Sequence, residues 1–444
     1  MQEPVILYQD ETKKAIENFR LTGIPFSFRL AKAIAAIKYA AAEAHEIEEK
    51  LPSTFSNAIK KAAQEILDGH WQEQFVVDQV NGGAGTSMHM NVNEVIATRA
   101  TILLETGERV HPNDHVNMSQ STNDVIPTAV KIASLELLDE LIKTYEFFCT
   151  ELQKKSEEWK DIIKVGRTHL QDAVPITLGQ EFGAHAYAAK KDLKRLYHAK
   201  EALYEINLGG SAIGTGLTGS KQYIILVAEK LAELTHYPFF SSPHLISATQ
   251  YPDGFLEVSS TLTICAANLI KMANDLRLLG CGPLAGFAEI QFEEKQKGSS
   301  IMPGKINPVM GEMLNQVCFQ IIGNNQTILM ATQAGQLELN VMLPIVGKNI
   351  FESLSLLSNG VLQFTKHGIV TLTANKEKCA ETFEKSLCMA TALSPKIGYD
   401  KTAELVKKAV AHKMTLKQVV LEEKIMTEQE YIEFFQAKNL TSVN

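Results

Sequence analysis

One stretch combines residue types rarely found together without a chemical reason. Glu293 to Pro308 reads EEKQKGSSIMPGKINP, a polar run bounded by glycines and lying between two long helical patterns. Lys305 and Asn307 sit just before the second helix, and a helix N-terminus favours anions. A loop of this composition suits closing over a charged substrate, and it equally suits a solvated surface loop. Three other clusters invite the same question. Ser121-Thr122-Asn123 stands where a helix begins, and a plain N-cap needs only one such side chain. Gly166-Arg167-Thr168-His169-Leu170-Gln171-Asp172 reads as a polar cluster before a long helix, and Gly82 to Ser87 reads GGAGTS.

Two tempting motifs fail on physical grounds. Gly214, Gly216 and Gly219 match G-x-G-x-x-G, but Asn207 to Ile213 before them is not a strand and long helices flank the region, so no dinucleotide fold is predicted. Gly298 to Ile306 imitates a phosphate-binding loop with one residue too many. Pro303 has no N–H for a phosphate, and Ile306 cannot ligate Mg²⁺.

The elements that must carry these clusters are mainly helical. Apolar positions recur near the 3.6-residue period over about 125–160, 177–204, 254–279, 309–334 and 344–367. Residues 26–50 and 54–68 read as shorter helices, as does the tail from about 375, where Thr427 and Glu430 have capping-box spacing. The pattern predicts a mainly α fold with an elongated bundle of long helices. It divides into a mostly helical N-terminal domain (1–120), a central bundle (121–374) and a small helical C-terminal domain (375–444).

Composition narrows the function classes. Of 444 residues, 45% are apolar and 21% charged, enough to bury a large core. A net charge of −8 argues against a mainly electrostatic nucleic-acid binder. No apolar run reaches the roughly 18 residues of a membrane span, and the opening residues lack a signal-peptide apolar core. The six cysteines form no C-x-x-C pair, which predicts reduced thiols, no zinc site and a cytoplasmic protein.

GSSIMPGKINP (298–308) resembles the GSSxMPxKxN signature of the aspartase/fumarase superfamily. STND (121–124), GRTHLQDAVPITLGQEF (166–182) and NLGGSAIGTGL (207–217) resemble that family too, in its order, and the similarity runs from about Tyr8 to the C-terminus. GGAGTS, with the stretches 315–323 and 335–342, is similar to the aspartase branch; the class II fumarases are the alternative. A catalytically silent helical scaffold is the rival from another class, and the family's chemical residues at 169, 299, 305 and 307 speak against it.

The resemblance implies a reversible, cofactor-free and metal-free elimination of ammonia from aspartate to give fumarate. A proton leaves the carbon next to a carboxylate, which takes up the charge as a dianionic aci form. Fixed donors aimed at that charge are the largest expected contribution. By the same resemblance Ser299 is the base, while Lys305 and Asn307 hold the carboxylate. Thr86, Ser121, Thr122, Asn123, Thr168 and His169 make the other contacts, with Glu312 in the position that holds His169. A serine is a poor base unless its alkoxide is stabilised, here by loop N–H groups and a nearby cation. Consecutive bundle helices run antiparallel, so the Ser121 and Thr168 clusters are expected at opposite ends of one chain. That expectation, with the resemblance, implies a homotetramer whose sites each draw on three chains, and the apolar faces of 254–279 and 309–334 suit its interface. The chain departs from the family at His89, where relatives carry Asn; a charge there would alter affinity or pH dependence. Tyr8 to Thr12 (YQDET) matches the family's YGxQT-like stretch only loosely, and little of the chain precedes it.

Overall fold

The five long periodic segments fold as helices. In the computed structural model, which describes residues 5–436 and 440, the chain is mainly α. Helices α1 (Asp10–Asn18), α2 (Phe28–Ile47), α3 (Ser53–Leu67) and α4 (Thr86–Leu104) precede the longest, α5 (Thr122–Glu158). A hairpin of β1 (Ile163–Thr168) and β2 (Gln171–Thr177) leads into α6 (Leu178–Glu201), followed by β3 (Glu205–Ile206), α7 (Lys221–Thr235), β4 (Phe240–Ser241) and α8 (Leu245–Gln250). Then come α9 (Asp253–Leu279), β5 (Ile290–Gln291), α10 (Val309–Gln333), α11 (Leu343–Phe364) and β6 (Thr373–Ala374). The tail carries α12 (Lys376–Lys385), α13 (Cys388–Ile397), α14 (Tyr399–His412), α15 (Leu416–Glu422) and α16 (Glu428–Phe434). With 37 residues, α5 rises about 55 Å at 1.5 Å per residue. Pro127 is the sixth residue of α5, past the free first turn, and the Asn123 carbonyl that it leaves without a helical donor accepts instead from Asn207 Nδ2 at 3.0 Å.

The chain forms two compact units, 1–142 with 194–266 and 319–357, and 143–193 with 267–318 and 358–444. In the first, α2 packs against α3, α4 and α7. Its run of buried alanines (Ala31, Ala33, Ala35, Ala36, Ala40, Ala41, Ala44) has no bulk to hold neighbours away. Helix α1 is tied down by a buried acid. Glu94 of α4 accepts from the N–H groups of Gln9, Glu11 and Thr12 and from the Thr12 hydroxyl, putting a carboxylate where the helix dipole wants one.

In the second unit the small C-terminal helices share an apolar core, including Phe383, Met389, Leu393, Leu405, Leu416, Val420, Tyr431 and Phe435, and Val165 of β1 is part of it. Both Thr415–Gln418 and Thr427–Glu430 close as reciprocal capping boxes. A buried ion cluster fixes the base of the hairpin. Glu289, fully buried, lies 2.9 Å from Lys164 Nζ and 2.9 Å from Arg167 Nη1, and Lys164 also reaches Glu181 at 2.9 Å. Taking away one member leaves buried charge uncompensated. Glu289→Gln is expected to lower unfolding free energy by about 3 kcal/mol, the low end for breaking a buried pair because Lys164 keeps Glu181. Urea denaturation measures it, and a loss under about 1 kcal/mol would mean the cluster contributes little beyond surface pairing.

All six cysteines are free; five are buried and Cys281 is half-buried. Burial pushes the Cys149 thiol up to about 11 and those of Cys318 and Cys379 to about 12, so they stay protonated and unreactive at neutral pH. Among the described residues no helix is long and apolar enough to cross a membrane.

Candidate active site

The first unit holds Thr86 and Ser121–Asn123. Gly85 lies in the left-handed region (φ 94°) with its Cα against Ile126, and a side chain there would press on Ile126 carbons at 3.1–3.3 Å. This close approach sets the start of α4, with Thr86 exposed, against the first turns of α5. The Thr86 hydroxyl donates to Gly83 O at 2.7 Å, so toward a ligand it offers lone pairs, which suit an ammonium.

Of the three side chains at the α5 start, Ser121 and Asn123 are each given a direction. The Ser121 Oγ accepts from Asn123 N at 3.3 Å, which leaves its proton for an outside acceptor. Asn123 Nδ2 donates to Ala212 O at 2.7 Å, and its amide oxygen makes no hydrogen bond among the described residues. Thr122 Oγ1 lies 3.0 Å from His89 Nδ1. Behind them Asp124, fully buried, ties the helix start to the loop around Gly209. Its carboxylate accepts from Ser121 N (2.9 Å), Gly209 N (3.1 Å) and Ser211 N (3.0 Å). Burial raises its pKa to about 6 against the lowering effect of these N–H groups and of Lys38.

A raised carboxylate pKa means that the folded state binds the proton more tightly than the unfolded chain does. This group therefore costs stability as pH rises from about 4 to about 6. Its three N–H contacts still make it hard to replace. Asp124→Asn turns an NH₂ group toward backbone N–H donors and should destabilise the fold by about 2 kcal/mol while disordering residues 121–123. Thermal melting at pH 7 gives the first quantity and the rise in substrate KM the second; an unchanged KM would show that Asp124 does not set the geometry of the helix start.

The second unit holds the remaining candidates. The 166–172 segment, which the sequence presents as a polar cluster before a long helix, is the tip of a β-hairpin whose second strand leads into α6. Thr168 pairs with Gln171, which leaves His169 and Leu170 as a two-residue turn, both in the left-handed region (φ 54° and 60°). Such a turn matches the strand twist but normally takes Gly or Asn. Two bulky residues there are a strained choice, of the kind that accumulates at functional sites. Thr168, His169 and Leu170 are all exposed. Among the described residues Glu312, in the first turn of α10, makes no hydrogen bond to His169, so the expected partnership is absent within one chain.

The loop before α10 is closed at its neck. Gly298 lies so near the Lys305 carbonyl that a Cβ at 298 would collide with it, and Asn307 Nδ2 donates to Gly298 O at 2.7 Å. One donor of the Asn307 amide is thus spent on the loop, leaving its second N–H for a ligand. Inside the loop the Ser299 Oγ accepts from two backbone N–H groups, Ile301 at 3.2 Å and Met302 at 3.1 Å. These fixed dipoles point at the atom on which negative charge would develop. Lys305 is exposed and makes no ion pair among the described residues.

His89 overturns an expectation. It is 1% exposed, and burial, then the neighbouring Lys38, hold its imidazole well below the usual histidine range. It is neutral at pH 7, so no charge at this position acts on affinity. The sequence reading missed Lys38 and Asp124 as site-supporting groups. Lys38 sits in an alanine-rich helix and reads as a solvated lysine, while the partners that bury it lie 51 to 82 residues away. Asp124 was visible only as the last letter of an N-cap run.

Comparison with known proteins gives this arrangement a family. The lyase family description matches residues 6–323, and the fumarase C C-terminus description matches 389–442. The chain belongs to that lyase family, within the aspartase/fumarase superfamily. More narrowly, it is 45% identical over 432 residues to an aspartate ammonia-lyase of Bacillus subtilis, covering 96% of this chain and 91% of that protein. It is 41% identical to one of Helicobacter pylori, covering 98% and 95% of the two chains. Among solved structures, a "fumarate lyase:delta crystallin" of Brucella melitensis bound to cobalt superposes with a TM-score of 0.94 at 40% identity, covering 98% and 95% of the two chains. A class II fumarase of Schistosoma mansoni gives a TM-score of 0.93 at 32% identity, covering 99% and 96%.

Proposed function

We propose that the chain is an aspartate ammonia-lyase that interconverts L-aspartate with fumarate and ammonia. The observation that carries this reading is the Ser299 hydroxyl held by the N–H groups of Ile301 and Met302, in a loop that also presents Lys305. As Ser299 takes the proton from the carbon beside the carboxylate, the electron pair moves into that carboxylate to form the dianionic aci form. Lys305 and the remaining Asn307 donor meet this charge, and loss of ammonia from the neighbouring carbon completes the double bond. The two N–H dipoles stabilise the Ser299 alkoxide that must exist beforehand. The hydroxyls of Ser121 and Thr122 suit the second carboxylate; the lone pairs of Thr86 and the Asn123 oxygen suit the ammonium. Thr168 and His169 orient the substrate, because ammonia leaves without needing a general acid.

The substrate assignment draws on the ammonia-lyases of B. subtilis and H. pylori, which share 45% and 41% of residues with this chain, against 32% for the fumarase structure. The test offers aspartate and malate separately and follows fumarate by ultraviolet absorbance. Aspartate turnover is expected. Malate turnover alone would select the fumarase reading, and turnover of neither would leave a scaffold or another amino-acid lyase. The free buried thiols support placing the enzyme in the cytoplasm.

The site is shared between chains in a homotetramer, with Thr86 and Ser121–Asn123 from one subunit, Thr168 and His169 from a second and Ser299–Asn307 from a third. The support is local: His169 lacks Glu312 within its own chain, and the hairpin tip and the loop are both exposed, with Leu170 at 69% and Ile301 at 82%. Ser299→Ala and His169→Asn chains, each nearly inactive, should regain a substantial fraction of activity when dissociated and reassembled together, because some sites then draw both intact residues. Mixed tetramers as inactive as either parent would place the whole site in one subunit.

A further inference from the structure

A buried line of side chains ends at Thr122. Lys38 of α2, 0% exposed, places its ammonium 2.9 Å from Asn117 Oδ1, 2.8 Å from Gln120 Oε1 and 2.6 Å from His89 Nε2. The two amides cannot be flipped without loss. Asn117 Nδ2 donates to Gln120 O, and Gln120 Nε2 donates to the carbonyls of Val116 and Met118, so both amide oxygens are committed to Lys38. On the far side of the imidazole, Nδ1 lies 3.0 Å from Thr122 Oγ1. Thr122 itself is only half-buried and lines a cavity of ≈ 330 Å³ together with Asn123, Lys131 and Asn340.

We infer that Lys38 and His89 form a proton-ordered relay that makes the Thr122 hydroxyl a hydrogen-bond donor toward a substrate carboxylate. The argument is an inventory of protons. A lysine ammonium has three N–H groups and no lone pair, and three acceptors face it. Its third N–H therefore goes to His89 Nε2, which must be unprotonated. A neutral imidazole then carries its proton on Nδ1 and donates it to Thr122 Oγ1. With an N–H already supplied to its oxygen, the Thr122 proton has no acceptor in the network and is left for the substrate. Reversing the order would take the Thr122 proton into His89 and turn bare lone pairs toward a carboxylate. Burial pulls Lys38 well below the usual lysine range while the Asp124 carboxylate opposes this, so the relay depends on that acid as well. Lys38 and His89 are positioning residues; Thr122 is the group that touches substrate, and this inference rests on that reading of Thr122.

Two measurements test it. Magic-angle-spinning NMR of the wild-type enzyme labelled with ¹⁵N-histidine, with His89 assigned by its loss in His89→Gln, reads the tautomer directly. A neutral ring protonated on Nδ1 is expected. A ring protonated on Nε2, or on both nitrogens, overturns the relay whatever the variants do. The kinetic arm compares His89→Leu with His89→Gln, whose amide can accept from Lys38 and donate to Thr122. His89→Leu should raise the aspartate KM about tenfold, the equivalent of one lost hydrogen bond, with kcat changed less than about threefold. His89→Gln should stay within about threefold in both. In a Thr122→Ala background His89→Leu should add nothing further to KM, whereas a merely structural role would lower stability in both backgrounds and spare KM. A Thr122→Ala enzyme with normal KM would refute the substrate contact itself. A raised KM there with a normal KM in His89→Leu would refute the relay alone.

Discussion

Ser299→Ala is expected to lower kcat by about 10³-fold or more while the aspartate KM changes little, since a positioned base contributes roughly 10²–10⁴ and nothing else in the loop can replace it. The loss would report chemistry and not folding. The neck of the loop is held by Gly298, Lys305 and Asn307, none of which involves the Ser299 side chain. The two N–H groups released by the mutation lie on exposed residues and pass to water. A deuterium label on the carbon that loses its proton sharpens the test. The residual reaction should show a larger isotope effect, because proton removal then limits turnover fully. A Ser299→Ala enzyme within about tenfold of wild type would mean that another residue is the base.

Lys305→Ala should damage binding and turnover together. Its ammonium meets a carboxylate in the ground state and a dianion in the transition state, so part of its effect is uniform and part differential. A hydrogen bond to a charged group contributes about 1.5–3 kcal/mol, and loss of a donor to a developing oxyanion costs about 2.7–4 kcal/mol in kcat. Together these give a fall in kcat/KM of about 10³–10⁵. Stability should not change, because Lys305 pairs with no carboxylate among the described residues and its removal strands none of them. Lys305→Arg should recover little, since a planar fork cannot take the place of a compact point charge in a loop pinched at that residue. A drop confined to KM would show that Lys305 binds substrate without following the charge as it develops.

The parts of this molecule written in periodicity were legible in advance. Helices α9 and α10 begin within a residue of where their apolar patterns begin, because each buries a continuous stripe. The hairpin was not legible. Its turn lacks the Gly or Asn that announces such turns, and Pro175 in β2 argues against a strand. Helix α4 hid for the opposite reason. His89, Asn91, Asn93 and Glu94 are all buried on it, so polar letters occupy positions that a simple pattern assigns to solvent. Of the candidate site, the groups with unusual neighbours in sequence were visible, while those whose partners come from distant segments were not. Lys38 and Asp124 acquire meaning only when the fold brings Asn117, Gln120 and Ser211 to them.

The pinched neck at Gly298 has a consequence for redesign. Because Asn307 and the Lys305 carbonyl are held against Gly298, the ends of the intervening segment stay a fixed distance apart whatever lies between them. Ser300, Ile301 and Gly304 are exposed within the single chain, and the neck is held without them. The segment is therefore an exchangeable cassette with rigid sockets. Its interior can be randomised to accept amines or acids of other sizes, while the base and the cation keep the anchorage on which their chemistry depends.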